Sequence, residues 1–204
     1  MSTDTIAAVG TALSNSGISI IRISGKESLN IINKIFVSKS ELKPNSIIYG
    51  KIIENSKVID AVLVSYFENP RSYTGEDVCE INCHGGVQIT KKILQLVLEN
   101  GARLAEPGEF SKRAFLNGKM DLTKAEAVIN LINSKNSTQA RIAANNLEGD
   151  LYNKIREIRE ELIELMAHIE VSVDYPEYDY DEVENDNVCL LYTSPSPRDM
   201  RRSR

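Results

Sequence analysis

Two side chains draw attention because each breaks an apolar pattern. Arg22 lies in the run Gly17–Ile23 (GISIIRI), on the strand face it shares with Ile18 and Ile20. A guanidinium there is costly unless it meets an anion. It reads either as half of a buried ion pair or as a contact to an anionic or carbonyl group of a ligand. Glu80 is the second. In VCEINC the two-residue period of a strand sets Glu80 and Asn82 opposite Cys79, Ile81 and Cys83. Glu80 can pair with Arg22. It can equally accept two parallel hydrogen bonds from the N–H/NH₂ edge of a planar heterocycle. Lys119 follows Gly118 in the connection between a strand-rich and a helix-rich stretch, a place where pockets form. Residue type alone gives it no role.

Other chemistries are narrowed by composition and spacing. His84-Gly85-Gly86 at a strand end is either a tight turn or a set of backbone N–H groups facing an anion. Cys79 and Cys83 are too far apart on a strand, roughly 13 Å, to share a metal ion or a disulfide. They read as apolar face residues beside Ile81. With only His84 and His168, a histidine-rich metal site is excluded; His168 lies beside an apolar helical seam and is expected to be packed. No GxxxxGK[ST] run is present, so no P-loop is expected, and no nucleophile triad is evident.

The elements that must position these residues follow from periodicity. Gly17–Ile23 reads as a strand, and Lys26–Phe36 as a helix through Leu29, Ile32 and Ile35 or Phe36. Ser46–Ile53 and Val58–Phe67 read as a hairpin joined by Glu54–Lys57. Val78–Cys83 is a further strand, followed by a helix over Val87–Glu99 that Asn100-Gly101 stops. Pro107 opens a short helix and Asn117-Gly118 closes it. Strands and helices interleave without strict alternation, which predicts an α/β (α+β) fold with a mixed or antiparallel sheet.

From about residue 121 the pattern is helical. Thr123-x-x-Glu126 reads as a capping box ahead of Ala127, Val128, Leu131 and Ile132. A second helix starts near Asn136-Ser137. Leu151, Ile155, Ile158, Leu162, Leu165 and Ile169 form a heptad seam, with Gly149 interrupting the helix near its start and Pro176 stopping it. An α-helical hairpin is therefore expected, with a seam in need of a partner. Asp174–Asn187 is acidic and reads as a solvated linker. Residues 188–204 are Pro/Ser-rich and then basic, resemble translated vector read-through, and are set aside with Cys189. The expected organisation is 1–120, 121–187 and a non-native-looking tail over 188–204.

The bulk numbers fit a globular protein: 42% hydrophobic, 26% charged, net charge −5. The acidic balance weighs against a free-standing nucleic-acid binder. No apolar run reaches the roughly 18 residues of a membrane helix, and the N-terminus lacks signal-peptide character, so a cytoplasmic location is expected.

Two long stretches, PRSYTGEDVCEINCHGG (70–86) and EPGEFSKRAFLNGKMDLTKAEAV (106–128), closely resemble the signature stretches of the MnmE/TrmE family of tRNA modification GTPases. Residues 4–25 and 147–179 also match, so the resemblance runs from residue 1 to about 187. It implies an N-terminal domain resembling the folate-binding domain of aminomethyltransferases. That domain would bind 5-formyl- or 5,10-methylene-tetrahydrofolate and form a homodimer. A helical domain carrying a GTPase domain would follow, using GTP, Mg²⁺ and K⁺. With the FAD protein MnmG, the family modifies C5 of the wobble uridine, position 34, of certain tRNAs by adding an aminomethyl or carboxymethylaminomethyl group. The resemblance carries folate contacts onto Arg22, Glu80 and Lys119, with Glu80 reading the pterin edge and Arg22 and Lys119 facing carbonyl or carboxylate oxygens. The three are expected to converge on one pocket. No catalytic residue and no metal ligand is expected in this stretch, which as a polypeptide should not hydrolyse GTP. The competing readings are an aminomethyltransferase-like folate enzyme acting without GTP, a structural dimerisation module built on an Arg22–Glu80 ion pair, and an RNA-binding adaptor.

Overall fold

Strand alternation and helical periodicity resolve, in a computed structural model describing residues 4–174, into seven strands and six α-helices among the described residues. In chain order these are β1 (Ile6–Val9), β2 (Ile18–Ser24), α1 (Ser28–Ile35), β3 (Phe36–Ser38), β4 (Ser46–Glu54), β5 (Lys57–Phe67) and β6 (Val78–His84). They continue with α2 (Val87–Glu99), β7 (Arg103–Leu104), α3 (Glu109–Leu116), α4 (Leu122–Ile132), α5 (Ser137–Glu148) and α6 (Asp150–Asp174). The chain divides into two compact units, the break falling between Met120 and Asp121.

The first unit is built on one sheet in the order β3-β4-β5-β6-β2-β1-β7. Every neighbouring pair is antiparallel except β1 with β7, which is parallel, so the sheet is mixed. Its two faces differ as the period-2 pattern requires. Ile21, Ile23, Cys79, Ile81, Cys83, Val62 and Val64 point to one side and are fully or nearly fully buried. Ile31, Ile32 and Ile35 of α1 and Ile93, Leu96 and Val97 of α2 join them in a single core. Cys79 and Cys83 are thus core residues, both free thiols. Burial pushes the Cys79 thiol up to about 12 and Cys83 also upward, so neither is a thiolate at neutral pH.

The hairpin between β4 and β5 turns through Asn55 and Ser56, both with left-handed φ (48° and 65°), the signs of a two-residue type I′ turn. Three strands differ from expectation. Phe36 leaves the helix and starts β3, while β1 and β7 are too short to show a period. Each of these two takes its extended state from pairing rather than from its own residues.

In the second unit, α4 and α5 pack as a hairpin, and one alanine of each, Ala127 and Ala143, is buried. Ile132, at the end of α4, is exposed. The capping reading is corrected: Asp121, not Thr123, is the N-cap of α4. Its carboxylate accepts the Lys124 N–H at 2.9 Å and also takes the Thr123 hydroxyl, which leaves Thr123 inside the first turn. The reading of Gly149 is also corrected. It does not interrupt one helix but ends α5, in the left-handed region at φ 108°, where a glycine carries no Cβ penalty. The expected hairpin therefore becomes three helices. His168 is exposed rather than packed, and the seam stays open: Ile155, Leu162 and Ile169 are 45–48% exposed. Pro176, the acidic segment apart from Asp174, and residues 188–204 lie outside the described residues.

Candidate functional site

Arg22 and Glu80 come together because their strands do. In the antiparallel pairing of β2 with β6, Arg22 is directly opposite Glu80, and Ser65 of β5 is next across. The three lie on the face away from α1 and α2, beside the row Ile20–Asn82–Leu63. Arg22 Nε donates to Glu80 Oε1 at 2.7 Å. The side chains are 33% and 19% exposed, so the pair is reachable from solvent rather than sealed. Only one N–H of the guanidinium is used on Glu80 in this bond, and only one of the two carboxylate oxygens. The bond is thus single rather than bidentate, and it does not engage Glu80 Oε2 or the terminal amino groups of Arg22 with one another.

The arginine is also held from the side. Its Cζ lies 5.2 Å from the Tyr73 ring centroid and 5.8 Å from that of Phe110. Both are within cation–π reach. Tyr73 belongs to the loop between β5 and β6, and Phe110 to α3. The two elements are fastened to one another by the Tyr73 hydroxyl and Ser111 Oγ, 2.9 Å apart.

Lys119 is placed differently. Its amide closes the end of α3 on the Ala114 carbonyl, and its Nζ donates to the Pro70 carbonyl at 2.9 Å. It thus grips the start of the same loop whose Tyr73 stacks on Arg22. Gly75, in the left-handed region at φ 75°, permits this: a Cβ there would lie 3.0 Å from Lys119 Cγ. Arg22 and Glu80 are in direct contact, and Lys119 is linked to them through the loop.

Beneath the loop is a charged cluster that sequence reading did not single out. Arg113, 4% exposed, donates to the Asp4 carbonyl and Asp4 Oδ1 at 2.8 Å, to both Glu76 oxygens at 3.2 Å, and to Glu109 Oε1 at 3.2 Å. Arg103 adds bonds to Glu109 and Asp4. The hydrogen bonds from Arg103 pull the Glu109 carboxyl down from 4.5 to about 2, against the opposing effect of burial. The local signal was the i,i+4 pair Glu109/Arg113; the partners Asp4 and Glu76 come from distant sequence and left none.

His84 is turned toward β5. Its Nδ1 is 2.6 Å from Asp60 Oδ1, and its backbone N–H donates to Asp60 Oδ2 at 2.9 Å. Gly85 and Gly86 then pass the chain into α2. Among the described residues no cluster of three or more potential metal ligands occurs. No described helix is long and apolar enough to cross a membrane.

Residues 5–119 match the family model described as the GTP-binding protein TrmE N-terminus. Residues 122–193 match that of the MnmE helical domain. The chain belongs to the MnmE/TrmE family. Among its relatives, the tRNA modification GTPase MnmE of Acetivibrio thermocellus is 54% identical over 185 residues, covering 88% of this chain and 40% of the relative. That of Clostridioides difficile is 51% identical over 185 residues, with the same coverage. That of Carboxydothermus hydrogenoformans is 48% identical over 190 residues, covering 90% and 41%. The chain spans about two fifths of the length of these relatives. The family match covers both units, from the strand that holds Arg22 to the helical seam.

Proposed function

We propose that this chain is the N-terminal and helical part of a tRNA-modifying GTPase, and that its first unit holds a tetrahydrofolate one-carbon carrier. The observation that carries the reading is the Arg22–Glu80 pair, set side by side on an open sheet face under two aromatic rings, in a chain of this family. The residues suit a reduced pteridine. Glu80 Oε2 can accept from the pterin N–H/NH₂ edge, while the unused amino groups of Arg22 can donate to a carbonyl or carboxylate oxygen. Lys119 gives a further donor at the border of the loop. Bound there, 5-formyl- or 5,10-methylene-tetrahydrofolate would supply the one-carbon unit. The protein's part is to orient the carrier and exclude water from one of its faces.

In this reading the first unit also forms the homodimer. The whole protein acts in the cytoplasm with MnmG on the wobble uridine of tRNA and uses GTP, Mg²⁺ and K⁺ through a GTPase domain. Calorimetric titration with 5-formyl-tetrahydrofolate tests the folate assignment. Binding should weaken by about tenfold or more in Glu80→Gln, a substitution that turns one acceptor oxygen into a donor and leaves a hydrogen bond unmade. Unchanged affinity would remove Glu80 from the site. A second reading, a structural dimerisation module, is favoured by the 2.7 Å ion pair itself. Intact dimers without any folate binding would select it.

A further inference from the structure

We propose that Arg113 is a positioning residue for the Arg22 site: it sets where the two rings stand, and through them where the guanidinium points. This rests on the folate reading for its consequence in binding, but its geometry stands separately.

Neither Tyr73 nor Phe110 belongs to a strand, so the sheet alone does not fix them. Tyr73 rides on the loop before β6 and Phe110 on α3. Arg113 ties both carriers to the sheet. Its guanidinium is almost fully buried, at 4% exposed, and its own helix carries Phe110 and Ser111. It donates to Glu76, three residues beyond Tyr73, and to Asp4 next to β1. Glu76 in turn accepts the Ser24 hydroxyl at 2.8 Å, and Ser24 lies two residues from Arg22 on β2. Ser24 Oγ is 2.7 Å from Thr74 Oγ1, and Thr74 adjoins Tyr73. The path from Arg113 therefore ends on both sides of the stacked guanidinium: on the strand that bears it and on the loop that covers it. A planar fork can reach Asp4, Glu76 and Glu109 together, and a lysine ammonium cannot reproduce that geometry. Arg113→Lys keeps the charge, loosens the loop and α3, and frees Arg22 to rotate away from the bound orientation.

The test is a double-mutant cycle on the whole chain, read by titration with 5-formyl-tetrahydrofolate. Arg113→Lys should weaken binding roughly tenfold in the parent. The same change should have less than about a twofold effect in an Arg22→Gln background, because the group it positions is gone. Equal losses in both backgrounds, or no loss in the parent, would overturn the proposal. Tyr73→Phe serves as the milder variant. It removes only the hydroxyl held to Ser111, and should shift affinity in the same direction by a smaller factor. The Arg22 Nε–H resonance supplies a readout independent of ligand. It should move in Arg113→Lys and Tyr73→Phe, and an unmoved signal counts against the proposal. If the parent binds no 5-formyl-tetrahydrofolate, the folate reading fails and that resonance alone decides the positioning role.

Discussion

The two units of this chain treat their apolar residues in opposite ways. In the first, the strand residues Ile21, Ile23 and Ile81 are at 0% exposure, closed over by α1 and α2. In the second, α6 repeats its apolar residues with comparable regularity, yet Ile155, Leu162 and Ile169 remain nearly half exposed. Regular spacing reports that a face is made for burial. It does not report what buries it. The sheet unit contains both halves of its core within about a hundred residues, whereas the helical unit presents one half.

The largest consequence concerns exchange of backbone amides. Residues 150–172 of the isolated chain should exchange on the order of a hundredfold faster than β2 and β6, because few buried contacts resist opening there. Strong protection across α6 in a monomer would erase the contrast. Truncation of side chains sharpens it. Ile81→Ala should cost about 2–5 kcal/mol in urea unfolding, while Ile155→Ala should cost less than about 1 kcal/mol. Similar losses at the two sites would mean that α6 is covered after all.

Acid should act on the first unit through Glu109. Its folded pKa of about 2 lies below the ordinary 4.5, so its contribution is complete above about pH 4.5 and is lost as pH falls toward 2. Glu109→Gln should flatten urea midpoints across that window, and a slope unchanged by the substitution would assign the acid sensitivity elsewhere. The smallest effect belongs to α4. Asp121→Ala should cost about 1 kcal/mol and Thr123→Ala clearly less, since only Asp121 takes the Lys124 N–H. Thermal unfolding of the two variants decides between them, the reverse order restoring Thr123 as the cap.

Much of the fold was legible where a segment states its own period. Val87–Glu99 was bounded by glycines before and Asn-Gly after, and α2 has those limits. The mixed sheet followed from interleaved strand and helix patterns. The opposition of Arg22 and Glu80 was readable because both depart from apolar alternation and the strand period fixes their face. What was not legible depends on distant partners. β1 is four residues and β7 two, and each is a strand only because β2 and β1 supply the ladder. Thr123 and Asp121 are both competent caps, and only the backbone geometry at Asp121 chose between them. Gly149 gave no sign by itself of whether it would be tolerated inside a helix or end one. At the candidate site, the rings over Arg22 and the Arg113 cluster were hidden because Tyr73, Phe110 and Asp4 are brought to them by folding, not by spacing.

The bonds from Arg113 and Arg103 back to Asp4 join positions 109 and 99 residues apart. During synthesis, the first strand therefore emerges long before the partners that secure its outer edge exist. Closing so large a loop costs entropy that the ladder between β1 and β2 does not by itself offset. The nascent chain can pair β1 with β2 as soon as Ser24 is available, but the edge of β1 that faces β7, and Asp4 beside it, stay open until β7 and α3 have left the ribosome.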